Sequence, residues 1–224
     1  MFQIKICGIT CPDDARAVVE AGADAIGLNF YAPSPRFVET TVAREIVDSV
    51  SPDVNPSLRG ELKKVGLFVN ADADTIRRTV EEVKLDVVQL HGDEPVELLV
   101  ELEGLCIVRA LRWKKGGLDS VVEYLGQCEQ KGVKLAGLLV DAHSADAYGG
   151  TGKKLDWNQL AAARDRLGDV PLILAGGLTP ENVAEAIRIV RPDGVDTASG
   201  VEISPGVKDH AALRAFVAAA RKAL

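Results

Sequence analysis

With 224 residues, 47% of them hydrophobic and only 4% aromatic, the chain holds one domain's worth of material and a core of Val, Ile, Leu and Ala rather than of rings. The net charge of −7 argues against a nucleic-acid partner, which favours a basic face, and an anionic ligand has to be held by local donors. No apolar run approaches the roughly 18 residues of a membrane span, and Met1-Phe2-Gln3-Ile4-Lys5 has none of the regions of a secretory signal, so a cytoplasmic protein with no membrane partner is expected.

Short apolar runs alternate with amphipathic stretches along the chain. A strand over Phe2–Ile6 leads to a helix over Asp13–Ala21, which Asp13 or Asp14 starts and Gly22 stops. Ala25–Phe30 and Val42–Ser49 form the second unit, joined by Ala32–Val38, which Pro33-Ser34-Pro35-Arg36 stiffens. Lys64–Val69 with Ala73–Val83, Val87–Leu90 with Pro95–Glu103, and Leu105–Ala110 with Leu118–Lys131 follow. Gly137–Val140 and Trp157–Arg166 are separated by a long glycine-rich connection, Ala142–Leu155. Leu172–Ala175 precedes Pro180–Val190, where Thr179-Pro180-Glu181 reads as a cap, a proline at the first helical position and an acidic first turn. Gly194–Asp196 and Asp209–Ala223 complete the series.

Near-continuous apolar strands, each followed by a helical period, indicate a parallel sheet covered by helices. Eight such units with no second domain predict a single α/β domain over 1–224, a closed (β/α)8 TIM barrel with parallel strands. An open doubly wound sheet is the alternative. Ala23-Asp24-Ala25, Leu85-Asp86-Val87 and Pro192-Asp193-Gly194 echo one another before even-numbered strands, as repeated βα units would.

Chemistry in such a barrel gathers at the C-terminal ends of its strands. Cys7 ends the first strand beside Gly8, where a thiol can serve as base or nucleophile in its thiolate form; a buried structural cysteine is the competing reading. Asp141 ends the sixth strand, either as an acid facing a ligand or as a cap for the loop that follows. Strands seven and eight separate the two, so Cys7 and Asp141 should face one another across the mouth, as a base and an acid working on one substrate would. Glycine-rich turns follow strands seven and eight, Ala175-Gly176-Gly177-Leu178 and Thr197-Ala198-Ser199-Gly200-Val201, the usual place for a phosphate in this architecture.

Lys5 shares the inward parity of Cys7, and Asp196 on the neighbouring eighth strand is its counter-charge, in a structural pair or in contact with ligand hydroxyls. Gln89 and His91 share one parity at the end of the fourth strand and line the pocket, unless His91 is a core histidine. Arg36, stiffened by the two prolines that precede it, can clamp a carboxylate through two hydrogen bonds, although most loop arginines are simply solvated. Cys7, Cys11, Cys106 and Cys128 suit no disulfide framework. Neither they nor His91, His143 and His210 have the spacing of metal ligands, so no metal is expected.

Lys5-Ile6-Cys7-Gly8-Ile9-Thr10, Ser34-Pro35-Arg36-Phe37-Val38, Val88-Gln89-Leu90-His91-Gly92, Gly149-Gly150-Thr151-Gly152, Leu174-Ala175-Gly176-Gly177-Leu178 and Gly194-Val195-Asp196 closely resemble the phosphoribosylanthranilate isomerases. Ser199-Gly200-Val201-Glu202 and Pro205-Gly206-Val207-Lys208-Asp209 extend that resemblance, in correct order, over nearly the whole chain. The resemblance implies an Amadori rearrangement of a phosphorylated aminosugar, a step of tryptophan biosynthesis, with no cofactor. By the same matching, Cys7 is the general base and Asp141 the general acid. Arg36 holds the anthranilate carboxylate, Gly176, Gly177, Ser199 and Gly200 hold the phosphate, and Asp196 contacts the sugar. Another sugar-phosphate barrel enzyme, including one acting on a histidine-pathway aminosugar, and a non-catalytic phosphate-binding barrel are the alternatives. Such barrels occur as monomers and as homodimers. Asn29 and Ala198 stand at positions where variation tunes the pocket, and the segment Ser51–Lys63 is somewhat long, away from the mouth.

Overall fold

A computed structural model describes residues 1–51, 62–112, 118–141 and 157–224. Its centre is a closed barrel of eight parallel strands: β1 (Ile4–Cys7), β2 (Ala25–Asn29), β3 (Lys63–Phe68), β4 (Val87–Leu90), β5 (Ile107–Arg112), β6 (Gly137–Asp141), β7 (Leu172–Ala175) and β8 (Gly194–Thr197), with β8 bonded back to β1. Around it lie α1 (Pro12–Ala21), α2 (Thr40–Ser49), α3 (Ala73–Val83), α4 (Val96–Glu101), α5 (Leu118–Gln130), α6 (Trp157–Ala163), α7 (Val183–Val190) and α8 (His210–Ala223). The open sheet is thereby excluded. The glycine-rich connection 142–155 and most of 51–63 lie outside the described residues.

Two-residue alternation divides the apolar side chains between two cores. Phe2, Ala25, Val65, Val87, Val108, Leu139 and Ile173 pack together in the barrel interior. Ile4, Ile6, Ile26, Leu28, Val88, Leu90, Leu138, Val140, Leu172, Leu174 and Val195 join the core that includes the helices' buried residues. Each strand is buried on both faces, which is why it reads as a continuous apolar run.

The repeated aspartates have one job at the N-terminal end of the barrel. Asp24 Oδ2 accepts the backbone N–H of Ile4 at 2.8 Å, Asp86 Oδ2 that of Lys64 at 2.7 Å, and Asp193 Oδ2 that of Leu172 at 2.7 Å. An acid just before an even strand thus ties the start of the preceding odd strand. Before β6 the position is Ala136, and the device is missing there.

Several boundaries differ from the sequence expectation. β1 begins at Ile4 rather than Phe2, although Phe2 still fills the barrel floor at 3% exposure. α1 starts with Cys11 as N-cap and Pro12 in its first turn, not with an aspartate cap, because Asp14 is engaged in tertiary bonds to Lys208 N and His210 Nε2. α7 starts at Val183 rather than Pro180, since the Asn182 side chain ties Thr179 N into a turn first. An antiparallel hairpin, β9 (Glu202–Ser204) and β10 (Val207–Lys208), follows β8 and was not legible as strands.

Candidate active site

The C-terminal end of the barrel opens into a cavity of about 440 Å³. Cys7, the last residue of β1, lines it and is itself 6% exposed. Room for the thiol comes from β2: Gly27 is the register partner of Cys7, and a Cβ there would stand 2.7 Å from Sγ. One layer down lies Lys5, whose Nζ donates to Asp196 Oδ1 at 2.8 Å. Burial pulls this lysine's pKa down, but Asp196 and Cys7 outweigh it and hold it above the ordinary lysine value. A fixed positive charge therefore lies directly beneath the sulfur.

Asp141 ends β6 and lines the same cavity, separated from Cys7 by β7 and β8 along the shorter arc of the ring. His91 Nε2 lies 3.7 Å from its Oδ2. The other ring nitrogen, Nδ1, is 3.2 Å from Gln89 Nε2. An amide N–H donated to Nδ1 leaves the ring proton on Nε2, on the Asp141 side. Gln89 is fully buried, and its Oε1 has no hydrogen-bond partner among the described residues. Gln89 also lines the cavity, so that acceptor is available to a ligand donor.

The two glycine turns form one unit. Gly176 and Gly177 have φ of +87° and +65°, and both line the cavity. Asn182 Nδ2 donates to Gly177 O at 2.9 Å, and Thr197 Oγ1 donates to Leu178 O at 2.8 Å. Ser199 opens a short 3-10 turn, Ser199–Val201, and also faces the cavity. Gly200 does not line it. It sits behind, where any Cβ would overlap the Leu178 carbonyl oxygen, so its absent side chain lets the turns after β7 and β8 pack backbone against backbone.

Arg36 arrives on the loop after β2. Asn29 organises that loop, donating from Nδ2 to Ser34 Oγ at 3.0 Å and accepting from Tyr31 N at 2.9 Å, while Ser34 Oγ accepts from Arg36 N at 3.1 Å. The guanidinium is not merely solvated. Its Nε and Nη2 donate to Glu202 Oε1 and Oε2 at 2.8 and 2.6 Å. Glu202 also accepts from Lys208 Nζ at 2.8 Å, and Lys208 donates onward to the carbonyls of Cys7 at 2.6 Å and Ala198 at 3.2 Å. Burial would raise the pKa of Glu202, but Arg36 and Lys208 together hold it below the ordinary glutamate value. Burial pushes Lys208 below the usual lysine value, against the pull of Glu202.

Of the ten residues expected to act on or hold the ligand, nine, all but Gly200, thus line one cavity, and Lys5 lies beneath it. Gly27, Asn29, Glu202 and Lys208 carry structure that sequence reasoning did not assign them. Glu202 and Lys208 stood within motifs of the family resemblance, which was the one signal that pointed to them. Among the described residues, no group of three or more His, Cys, Asp and Glu could hold a metal ion, and no helix is long and apolar enough to cross a membrane.

A family model described as N-(5′-phosphoribosyl)anthranilate (PRA) isomerase matches residues 4–219. An N-(5′-phosphoribosyl)anthranilate isomerase of Geotalea uraniireducens is 44% identical over 222 residues, covering 99% of both chains. The crystal structure of phosphoribosyl anthranilate isomerase from Thermotoga maritima superposes with a TM-score of 0.84 at 37% identity, over 99% of this chain and 100% of that one. A phosphoribosyl anthranilate isomerase solved in complex with reduced 1-(o-carboxyphenylamino)-1-deoxyribulose 5-phosphate gives a TM-score of 0.81 at 35% identity, with the same coverage.

Proposed function

The chain belongs to the N-(5′-phosphoribosyl)anthranilate isomerase family, and from that premise we propose that it converts N-(5-phosphoribosyl)anthranilate to 1-(2-carboxyphenylamino)-1-deoxyribulose 5-phosphate with Cys7 as general base and Asp141 as general acid. The reaction is a step of tryptophan biosynthesis. The observation that carries the residue roles is that a thiol and a carboxyl from β1 and β6 line one cavity together with the glycine turns and Arg36.

The chemistry needs one proton delivered and one removed. Asp141 protonates the ring oxygen, the C1–O bond breaks, and the substrate nitrogen supplies the electron pair that makes the open-chain iminium. Cys7 thiolate then removes the proton from C2, and the electrons of that C–H bond flow towards the iminium nitrogen to give an enolamine. Tautomerisation of the enolamine to the ketone completes an isomerisation with no external reactant. Proton transfers by positioned groups of this kind are each worth about 10²–10⁴-fold.

The remaining lining residues hold the substrate. Gly176, Gly177, Ser199 and Gly200 take the phosphate, and Gly200 also lets the two turns pack together. Arg36 takes the anthranilate carboxylate and Asp196 a sugar hydroxyl. Gln89 offers its buried acceptor to the substrate, while His91 between Gln89 and Asp141 orients the acid. The decisive experiment generates the substrate in situ from anthranilate and a phosphoribosyl donor and follows loss of anthranilate-type fluorescence. Cys7→Ser and Asp141→Asn should each lower turnover by about a hundredfold or more. Near wild-type turnover in both would refute the assignment of base and acid.

A further inference from the structure

We propose that Glu202 is a positioning residue that fixes the orientation of Arg36 and thereby sets the requirement for a carboxylate on the substrate's aromatic ring. The proposal rests on Arg36 being the carboxylate clamp. It adds a residue that touches no substrate, together with a reason for the clamp's geometry.

A guanidinium has five N–H groups in a rigid fork. Glu202 takes the edge formed by Nε and Nη2. Among the described residues nothing takes the edge formed by Nη1 and Nη2, which fits a ligand carboxylate through two parallel hydrogen bonds. The Arg36 side chain is 21% exposed, against 4% for Glu202 and 0% for Lys208. The arginine thus reaches the cavity while its anchor is sealed beneath it.

The charges in this cluster point the same way. Arg36 and Lys208 share one carboxylate, Glu202. The arginine is the exposed member of this cationic pair, and so the one that an arriving anion meets. Lys208 in turn grips the carbonyls of Cys7 and Ala198. The clamp is therefore referenced to the end of β1, which carries the base, and to the turn after β8, which takes the phosphate. A free arginine on a loop would lose side-chain entropy on binding; one already held by Glu202 loses less.

The test compares two substrates, the phosphoribosyl conjugates of anthranilate and of aniline, the second lacking the carboxylate. For Glu202→Gln, whose amide N–H opposes either Arg36 or Lys208, KM for the anthranilate conjugate should rise about tenfold with a smaller change in kcat. Turnover of the aniline conjugate should change less than about twofold, so the preference between the two collapses. Glu202→Asp, which keeps the charge but shortens the reach, should show the same pattern more weakly. It also provides the answer if Glu202→Gln does not fold. Equal loss on both substrates would mean a merely structural role and overturn the proposal, as would no loss on either. Arg36→Ala separates this inference from the clamp on which it rests. If Arg36→Ala keeps the preference, the clamp itself is wrong. If Arg36→Ala loses the preference and the Glu202 variants keep it, the clamp stands and the role of Glu202 falls.

Discussion

Gly27→Ala is the sharpest test of how the barrel makes room for its thiol. The new Cβ would stand 2.7 Å from Cys7 Sγ, 3.0 Å from Cys7 Cα and 3.0 Å from Lys5 Cε. Carbon rests against such neighbours at about 3.5–4.0 Å, so the sulfur has to retreat by about 1 Å or the strands have to part. Parting is resisted, because Gly8 N and Ile9 N both donate to Gly27 O, at 2.9 and 3.0 Å. Overpacking of this kind costs about 1–3 kcal/mol of stability. A misplacement of about 1 Å at a reacting group is worth on the order of a hundredfold in rate. Urea unfolding and the fluorescence assay therefore should move together, with kcat falling far more than the loss of stability suggests. Gly126→Ala is the control, since nothing lies within 4 Å of its Cβ in α5, and it should gain about 0.5–1 kcal/mol with kcat unchanged. If Gly27→Ala kept both wild-type turnover and its unfolding midpoint, the glycine would not be what accommodates the sulfur.

Other variants probe the supports of the site. Asp196→Asn leaves Lys5 buried with its countercharge gone and should cost about 3–5 kcal/mol in denaturant unfolding; an unchanged midpoint would mean that the pair is dispensable. Asp24→Ala, Asp86→Ala and Asp193→Ala should each cost about 1.5–3 kcal/mol at the N-terminal end while leaving kcat intact, and a fall in kcat would place those acids in the catalytic machinery. Glu202 is held below its unfolded pKa, so its share of stability is fully present above about pH 4.3 and is lost as pH falls through the folded value. Thermal unfolding of Glu202→Gln from pH 7 down to pH 3 should therefore show a shallower decline than wild type; parallel curves would remove Glu202 from the acid response.

The elements that one segment can specify were legible in the sequence, and those that need ring closure were not. Val87–Leu90 and Leu172–Ala175 match the observed strands because a doubly buried strand is a continuous apolar run, whatever lies beside it. Cys7, Asp141 and Asp196 were found by their place at strand ends, and Lys5 by parity with Cys7. The partner of Arg36 was hidden because Glu202 lies 166 residues away and nothing local in its hairpin announces the pairing. Nothing local in the run Ala25–Phe30 marks Gly27; its meaning appears only once β1 is beside it. The adjoining Leu178 carbonyl accounts for the missing side chain of Gly200, a separate matter from the phosphate contact expected of its backbone.

The grip of Lys208 on the Cys7 carbonyl spans 201 residues of chain. On a ribosome adding about 5–20 residues per second, these two residues emerge about 10–40 s apart. Until the later one arrives, the strand bearing the thiol has neither its last carbonyl bond nor the anchor of its neighbouring arginine. A nascent chain lacking the hairpin after β8 is thus expected to have most of the strands and none of the finished mouth. The appearance of turnover during synthesis would then report the docking of that hairpin on a ring already closed through β8, rather than the formation of any one βα unit.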